Sequence, residues 1–213
     1  MLLPLINTSP INERSLLRPK CGTLPIFKRC KTEAAILSMI KIAITGPEST
    51  GKSTISSALA AHYGSVWVPE FARTYVGNLQ QPYTLADIEA IAEGQLSLEE
   101  EYVRQANRVL FSDTDLLVLK IWSEHAFGHC PAWILEKLTQ QHYNLYLLMG
   151  VDLPWEPDPQ REHPHLREHF YNWYKQELTA MQVPFVEITG LQEARLQAAI
   201  KHVDQLLQKH DLL

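Results

Sequence analysis

The chain has 213 residues, of which 46% are hydrophobic, and its formal net charge is −5. This size predicts one α/β domain rather than two, and no apolar run approaches the roughly 18 residues that span a bilayer, which excludes a membrane helix. Three cysteines, an odd number, do not make a disulfide framework, so we expect free thiols and a reducing, cytoplasmic environment.

Residues 1–38 differ in composition from the rest of the chain. They contain six Lys or Arg and two Glu, a net charge of +4, which leaves −9 for residues 39–213. Four prolines interrupt any periodicity. We interpret residues 1–38 as a disordered basic extension, or as an artefact of the assigned start site, and expect the working domain to begin near Met39. An acidic domain lacks the clustered Lys and Arg that bind nucleic acid, so we expect no such partner.

A phosphate-binding loop follows the first predicted strand. Ile40 to Thr45 is a short β-branched run typical of a buried parallel strand, and Lys52 to His62 has the apolar spacing of a helix. Between them, two glycines let consecutive backbone N–H groups face phosphate oxygens, and the helix start adds its positive dipole end. Lys52 then reaches the β- and γ-phosphates, and the Ser53 hydroxyl ligates Mg²⁺. The predicted triphosphate-binding residues are Gly46, Pro47, Glu48, Ser49, Thr50, Gly51, Lys52, Ser53 and Thr54.

Strands and helices alternate beyond this loop. The further predicted strands are residues 65–68, 109–112, 145–151 and 183–188. The longest predicted helices are residues 85–108 and 192–207, and the second of these has an apolar stripe. Glu99, Glu100 and Glu101 are expected to face solvent on the first. Repeated β/α alternation predicts a parallel sheet with helices on both faces.

Acidic residues follow the third predicted strand, and ligands bind beyond the carboxyl ends of the strands in such a sheet. An acid beside the phosphate-loop strand holds Mg²⁺ in P-loop folds. We therefore favour Asp113 for the metal and Asp115 for the substrate. The alternative is that Asp113 caps the helix that follows.

A carboxylate closes the second predicted strand. Glu70 is placed to take the proton of an acceptor hydroxyl as phosphoryl transfer proceeds. Arg73, three residues further on, is placed to bind a phosphate or a substrate oxygen. The alternative is a surface Glu–Arg pair of little energetic value.

Three prolines lie within six residues after the fourth predicted strand, in the segment Asp152 to His163. This pattern predicts a lid that closes over the nucleotide. Arg161, with Arg167 as a second candidate, would approach the transferring phosphate, neutralise its charge and exclude water. The alternative is a solvated loop followed by a charged helix.

Two groups of histidines invite other interpretations. The run from His125 to His129 is similar to the His-x-Gly-His pattern of nucleotidyltransferases, but it is one residue too long and falls in a predicted helical region. We interpret it as structural. His163, His165 and His169 are interspersed with Glu and Arg, so we interpret them as a solvated lid face rather than a metal site.

Taken together, these segments resemble the NadR-type ribosylnicotinamide kinase domain of bacterial NAD-biosynthesis regulators, an AAA_28-like P-loop family. The similar pieces span about residues 40–190. They are Gly46 to Thr54, Glu70 to Tyr75, Ile91 to Gln95, Asp113 to Asp115, and Pro154-Trp155 with Asp158 and Arg161.

The resemblance implies an α/β P-loop NTPase fold. This fold is a three-layer sandwich with a lid and a parallel five-stranded sheet in the order 2-3-1-4-5, like the nucleoside and nucleotide monophosphate kinases. In that order Asp113 lies beside Lys52, and Glu70 lies one strand further out. The resemblance also implies ATP- and Mg²⁺-dependent phosphorylation of a nucleoside 5′-hydroxyl, with ribosylnicotinamide as the leading acceptor and a role in NAD salvage.

Residue roles follow from the motifs and the resemblance together. The expected catalytic residues are Lys52, Glu70, Asp115 and Arg161, and the choice of base between Glu70 and Asp115 stays open. The expected substrate-binding residues are Glu70, Arg73, Gln95, Asp115 and Trp155. The expected metal-binding residues are Ser53 and Asp113.

Two positions depart from the family pattern and leave the acceptor base open. Pro69 and Leu96 stand where the family has the aromatic residues that would stack a nicotinamide ring. A different class of function also remains an alternative: a regulatory switch that binds and slowly hydrolyses ATP without phosphorylating a small molecule.

Overall fold

The computed structural model describes residues 39–212. The predicted basic extension, with Cys21 and Cys30, lies outside the described residues. Within residues 39–212, no helix is both long enough and apolar enough to cross a bilayer.

The centre of the described fold is a parallel sheet of five strands. The strands are β1 (Ile40–Thr45), β2 (Val66–Val68), β3 (Val109–Asp113), β4 (Leu145–Met149) and β5 (Phe185–Ile188). Their order across the sheet is β2-β3-β1-β4-β5, and every neighbouring pair is parallel. The predicted fold class and the strand order 2-3-1-4-5 are therefore confirmed.

Helices cover both faces of the sheet. Over residues 39–212 they are α1 (Lys52–His62), α2 (Phe71–Gly77), α3 (Leu85–Gln105), α4 (Leu116–Phe127), α5 (Ala132–Gln140), α6 (Arg167–Ala180) and α7 (Gln192–Asp211). Buried residues of α1 and α7 pack with one set of strand residues, and buried residues of α2 to α6 pack with the other. The three layers arise because successive strand residues point to opposite faces.

Strand β1 illustrates how the sequence selects the layers. Ile42 and Ile44 pack in the core beneath α1 and α7, whereas Ala43 faces the opposite core. Ala43 lies in register between Ser112 and Tyr146, so a row of mixed polarity crosses this face of the sheet. The short β-branched strand places the next residue, Gly46, at the edge where the carboxyl ends of β1, β3 and β4 meet.

One solvent-facing prediction is wrong. Glu99 on α3 is only 5% exposed, and its carboxylate forms an ion pair with Lys41 at 2.8 Å. The same carboxylate accepts hydrogen bonds from the Tyr143 hydroxyl and the Gln141 side chain. A buried carboxylate requires such partners. Because these partners come from parts of the chain distant in sequence, the run of three glutamates does not indicate which one is buried.

Candidate active site

The turn from β1 to α1 curls tightly around the side chain of Lys52. Its Nζ donates hydrogen bonds to the carbonyls of Gly46 at 2.9 Å and Pro47 at 2.8 Å, and the Thr50 hydroxyl donates to Pro47 at 2.8 Å. Gly46 has φ +130°, and a Cβ atom there would lie 3.0 Å from the carbonyl oxygen of Met149. Only glycine fits this close approach of loop and strand.

Asp113, the last residue of β3, lies beside the start of α1. It is 1% exposed and in register with Ile44 of β1. Burial raises the pKa of its carboxyl to about 6, while a hydrogen bond from Ser53 and the charge of Lys52 act in the opposite direction. Asp113 and the phosphate loop thus form one buried polar cluster.

The donor set at this cluster fits Mg²⁺. Within residues 39–212, Oδ1 of Asp113 is buried without a hydrogen-bond partner, and the Ser53 hydroxyl is adjacent. Mg²⁺ in kinases is held by one or two protein oxygens together with phosphates and water. Across the same residues no group of three or more His, Cys, Asp or Glu is arranged to hold a metal ion, His163, His165 and His169 included.

A cavity of about 460 Å³ opens beside the phosphate loop. At its phosphate end it is lined by Gly46, Pro47, Glu48, Lys52, Glu70 and Arg73. At its aromatic end it is lined by Tyr83, Trp122, His125, His163, Phe170 and Tyr174. A chamber of this size holds a small molecule, and the two ends differ sharply in chemistry.

Glu70 and Arg73, both predicted as site residues, line the phosphate end. Glu70 is the residue preceding α2, but its side chain makes no capping hydrogen bond to the helix. The Arg73 Nε lies 3.9 Å from the Glu70 carboxylate, and Arg73 also pairs with Asp158 of the lid at 2.9 Å. Glu70 thus lines the cavity together with its ion-pair partner Arg73.

Gln95, predicted to bind substrate, does not line the cavity. It is 2% exposed, accepts the Phe71 N–H at 2.8 Å and faces the carbonyls of Pro69 and Thr114 at 3.4 Å. Gly94, the preceding residue, allows the Phe71 ring to pack closely, since a Cβ atom would lie 2.2 Å from that ring. The Gly-Gln pair thus holds the turn that carries Glu70.

Asp115 and Trp155 are likewise absent from the cavity lining. Asp115 is fully buried at the residue preceding α4, and its Oδ1 accepts a hydrogen bond from Thr45 at 3.3 Å. Burial raises the pKa of its carboxyl to about 7, while hydrogen bonds from the backbone N–H groups of Leu117 and Val118 act to lower that pKa. The helix-capping position considered for Asp113 is therefore occupied by Asp115, and Glu70 is the better placed of the two candidate bases.

The lid, residues 152–166, lies against the phosphate loop. Ser49 Oγ accepts the N–H of Glu156 at 2.9 Å, and it lies 3.4 Å from the guanidinium of Arg161. The Glu48 carboxylate accepts the N–H groups of Glu162 and His163 at 3.2 and 3.3 Å. The predicted lid arginine is thus positioned beside the loop that the motif assigns to phosphate.

Arg167, the second candidate arginine, begins α6 and turns back toward the same loop. Its guanidinium donates to the carbonyls of Leu153 at 2.9 Å and Ser49 at 3.0 Å. Burial lowers its pKa, as does the charge of Arg161. Because Arg167 binds the backbone of both the lid and the phosphate loop, it ties these two segments together, whereas Arg161 lies nearer the middle of the lid.

Arg195 on α7 is a site-supporting residue that the sequence interpretation missed. It is 2% exposed and donates to the carbonyls of Thr50 at 3.0 Å, Gly150 at 2.7 Å and Gly190 at 3.0 Å, and it pairs with Asp152. One side chain thereby ties the phosphate loop to the ends of β4 and β5. Its helical spacing from the buried Ala199 and Val203 is the signal that places it on the inner face of α7.

The aromatic end of the cavity was also missed. Tyr83 and Trp122 pack edge to face with ring centroids 4.9 Å apart, and Phe170 and Tyr174 come from α6. Leu96, which stands at one position where an aromatic residue was expected, packs into the core instead. Aromatic residues do line the cavity, but they come from other segments of the chain.

A parallel sheet in this order, with a phosphate loop between β1 and α1, is the fold of P-loop NTPases. Residues 41–195 match the AAA_28 family, described as an AAA domain. This match covers most of the chain, which therefore belongs to that family.

Curated relatives match part of their own length. The trifunctional NAD biosynthesis/regulator protein NadR of Escherichia coli (strain K12) is 26% identical over 163 residues, covering 74% of this chain and 40% of that protein. The protein of the same name from Salmonella typhimurium is 28% identical over 131 residues, covering 60% of this chain and 32% of the relative. The chain thus spans well under half the length of these two relatives.

Solved structures share the fold. NadR protein in complex with NAD and AMP-PNP superposes with a TM-score of 0.64 at 20% identity, covering 81% of this chain and 50% of that one. NadR protein in complex with NR gives a TM-score of 0.67 at 19% identity, covering 81% of this chain and 52% of that one. Thymidylate kinase from Ehrlichia chaffeensis gives a TM-score of 0.50 at 12% identity, covering 80% of this chain and 99% of that one. At these identities the likeness concerns the fold.

Proposed function

We propose that the protein is an ATP- and Mg²⁺-dependent kinase that phosphorylates the 5′-hydroxyl of a nucleoside, with ribosylnicotinamide as the leading acceptor. The observation that carries this proposal is a single cavity that joins the phosphate loop, through Lys52, to the Glu70 carboxylate, 3.9 Å from Arg73, and to an aromatic chamber. A triphosphate and an acceptor hydroxyl bound there would meet between Lys52 and Glu70.

In the proposed reaction, the acceptor oxygen attacks the γ-phosphorus and the bond to the ADP oxygen breaks. Glu70 accepts the proton that the hydroxyl loses. Lys52 and the loop amides hold the phosphates, and Arg161 neutralises the charge that develops during transfer. Ser53 and Asp113 are the residues that would hold Mg²⁺, which when bound neutralises phosphate charge. Catalysis would then consist of positioning and charge neutralisation.

The chemistry of the aromatic end supports a planar acceptor base with a positive charge. Tyr83 and Trp122 offer ring faces and edges, the Glu162 carboxylate accepts a hydrogen bond from Tyr83, and Glu48 and Glu70 add carboxylates at the phosphate end of the same cavity. Aromatic rings and carboxylates together favour a cation such as a pyridinium. The relatives' names, which refer to NAD biosynthesis and to a complex with NR, point the same way.

The test is a nucleoside panel incubated with MgATP, with ADP release coupled to an indicator and the product identified by mass spectrometry. We expect ribosylnicotinamide to accelerate ADP release and to gain a phosphate. The Lys52→Ala variant, checked by thermal melting to be folded, should lose the acceleration. Failure of every nucleoside to raise ADP release above the basal rate would contradict the proposal.

A regulatory ATP switch is the second candidate, and the contacts between the lid and Glu48 and Ser49 favour it. Such contacts would let the bound nucleotide alter the lid and hence a partner. The same experiment separates the two functions. A switch would hydrolyse ATP at one slow rate whichever nucleoside is added.

A further inference from the structure

Two histidines from different elements meet at the aromatic end of the cavity. His125 belongs to α4 and His163 to the lid, and their ring centroids are 4.6 Å apart at an interplanar angle of 80°. Both rings also pack on Phe170 of α6, at 4.9 and 5.4 Å. Both line the cavity, so any charge on either imidazole acts on whatever base occupies that chamber.

Two carboxylates contact His163 in the part of the cavity where the two imidazoles meet, which we call the corner. Glu162 Oε2 lies 3.7 Å from His163 Nε2 and accepts a hydrogen bond from the Tyr83 hydroxyl at 3.0 Å. The Glu48 carboxylate accepts the backbone N–H of His163 at 3.3 Å. The His163 imidazole is therefore placed to form an ion pair with the Glu162 carboxylate when it is protonated, and Glu48 adds a second carboxylate held by the His163 backbone.

The surroundings of His125 lower the pKa of its imidazole. Burial lowers its pKa, and the charges on His163 and on His169 of α6 lower it further, while Glu162 opposes them. A lowered pKa means that the proton is taken up only as the solution becomes more acidic. The corner therefore becomes less negative as the pH falls.

We propose that His125 and His163 are specificity-determining residues of the acceptor site, which favour a positively charged base only while both imidazoles are neutral. The proposal rests on the nucleoside-kinase function proposed above and adds to it the charge of the accepted base and its dependence on pH. Neither histidine takes part in phosphoryl transfer. They act on acceptor binding alone, through the charge that they place beside the base.

The sharpest probe is a pair of acceptors of the same shape and different charge. Ribosylnicotinamide carries a cationic ring with a neutral carboxamide, and the corresponding riboside of nicotinic acid carries the same ring with a carboxylate. We expect the ratio of kcat/KM for the amide to that for the acid to fall about tenfold between about pH 7.5 and about pH 5.5. The reason is that one or two imidazoles beside the base gain a positive charge, which repels the cationic riboside and attracts the carboxylate of the other. Using the ratio cancels pH effects on ATP and on the phosphate end.

The variants are His125→Asn, His163→Asn and their combination, with His165→Asn as the matched control because it is an exposed lid histidine outside the cavity lining. In the combined variant the ratio should stay constant across this pH range. The pH dependence that is lost relative to the wild type should be one of KM rather than of kcat. The control should retain the wild-type slope. A combined variant with an unchanged slope, or a flat wild-type ratio, would overturn the proposal.

A binding measurement keeps the inference separate from the proposed reaction. Calorimetric titration of the two ribosides into wild-type protein at the two pH values requires no turnover. If neither riboside is phosphorylated but the cationic one binds more weakly at the lower pH, the kinase proposal fails and the histidine proposal stands. Equal affinities for the cationic riboside at both pH values would reject the histidine proposal whatever the catalytic result.

Discussion

The two ends of the cavity are built in different ways. The phosphate end comes mainly from the contiguous segment 46–52, with Glu70 and Arg73 added after β2, and two backbone carbonyls accept hydrogen bonds from its lysine within 3 Å. The aromatic end draws single side chains from the segment before α3, from α4, from the lid and from α6. Most of its side chains are half-buried or exposed.

This difference follows from what each end would bind. A polyphosphate presents the same oxygens and charge in every complex, so a short turn with glycines, a lysine and a helix start suffices. A base presents a face, an edge and a charge, which only a tertiary arrangement of side chains matches. The phosphate end is thus a local property of the chain and the acceptor end a property of the fold.

The largest predicted effect tests the phosphate end. Lys52→Ala should lower nucleoside-stimulated ADP release about 10³-fold, because it removes the cation at the β- and γ-phosphates. Lys209→Ala, at an exposed position on α7, is the matched control and should leave the rate unchanged. Similar rates in the two variants, measured with both proteins folded, would contradict the assignment of this loop.

The next effect concerns the side chain that supports the phosphate end. Arg195→Met should lower the free energy of unfolding by about 3–5 kcal/mol, because it leaves Asp152 and three carbonyls without their buried cation. Denaturant unfolding measures this. Arg108→Met removes an exposed pair with Asp211 and should cost at most about 1 kcal/mol. Equal losses would show that Arg195 is not a buried clamp.

A smaller effect tests the aromatic end by itself. Trp122→Ala should raise the KM for the nucleoside about tenfold, because an aromatic contact with a base contributes on the order of 1–3 kcal/mol, and it should leave the KM for ATP unchanged. Trp155→Ala is the matched control, since Trp155 does not line the cavity. Steady-state kinetics with each substrate varied in turn measures both KM values. A nucleoside KM that rises in Trp155→Ala but not in Trp122→Ala would indicate that Trp155, rather than Trp122, contacts the acceptor.

The smallest effect tests the link between the two ends. Gln95→Leu should lower the free energy of unfolding by about 1–3 kcal/mol, because it leaves the Phe71 N–H without its acceptor. Since that N–H follows Glu70, kcat should fall more than the KM for nucleoside rises. A variant in which only this KM changes would indicate that Gln95 contacts the acceptor after all.

The sequence was sufficient for the elements whose signal is local. Strand β1, the phosphate loop and α1 are contiguous, and the alternation of strands and helices with the family resemblance was enough to predict the sheet order. Glu70 and Arg73 line the cavity, and each follows a strand end closely in the sequence. These features depend on neighbours within a few residues along the chain.

The remaining features depend on partners far away in sequence. Glu99 turns inward because Lys41 and Tyr143 meet it across the fold. Asp115 and Gln95 lie at the positions that the motif implied, but their side chains point to a helix start and a backbone turn. Arg195 was the one missed residue with a readable signal, its place on the apolar stripe of α7.

The central claim is that one cavity holds both the transferred phosphate and the acceptor hydroxyl, with Glu70 between them. The most direct measurement follows transfer of the γ-phosphate of ATP to ribosylnicotinamide by mass spectrometry in the wild type and in Glu70→Gln. The account predicts that the variant binds ATP normally and transfers phosphate about 10²-fold more slowly. Equal transfer rates in the two proteins, or no transfer by the wild type, would contradict it.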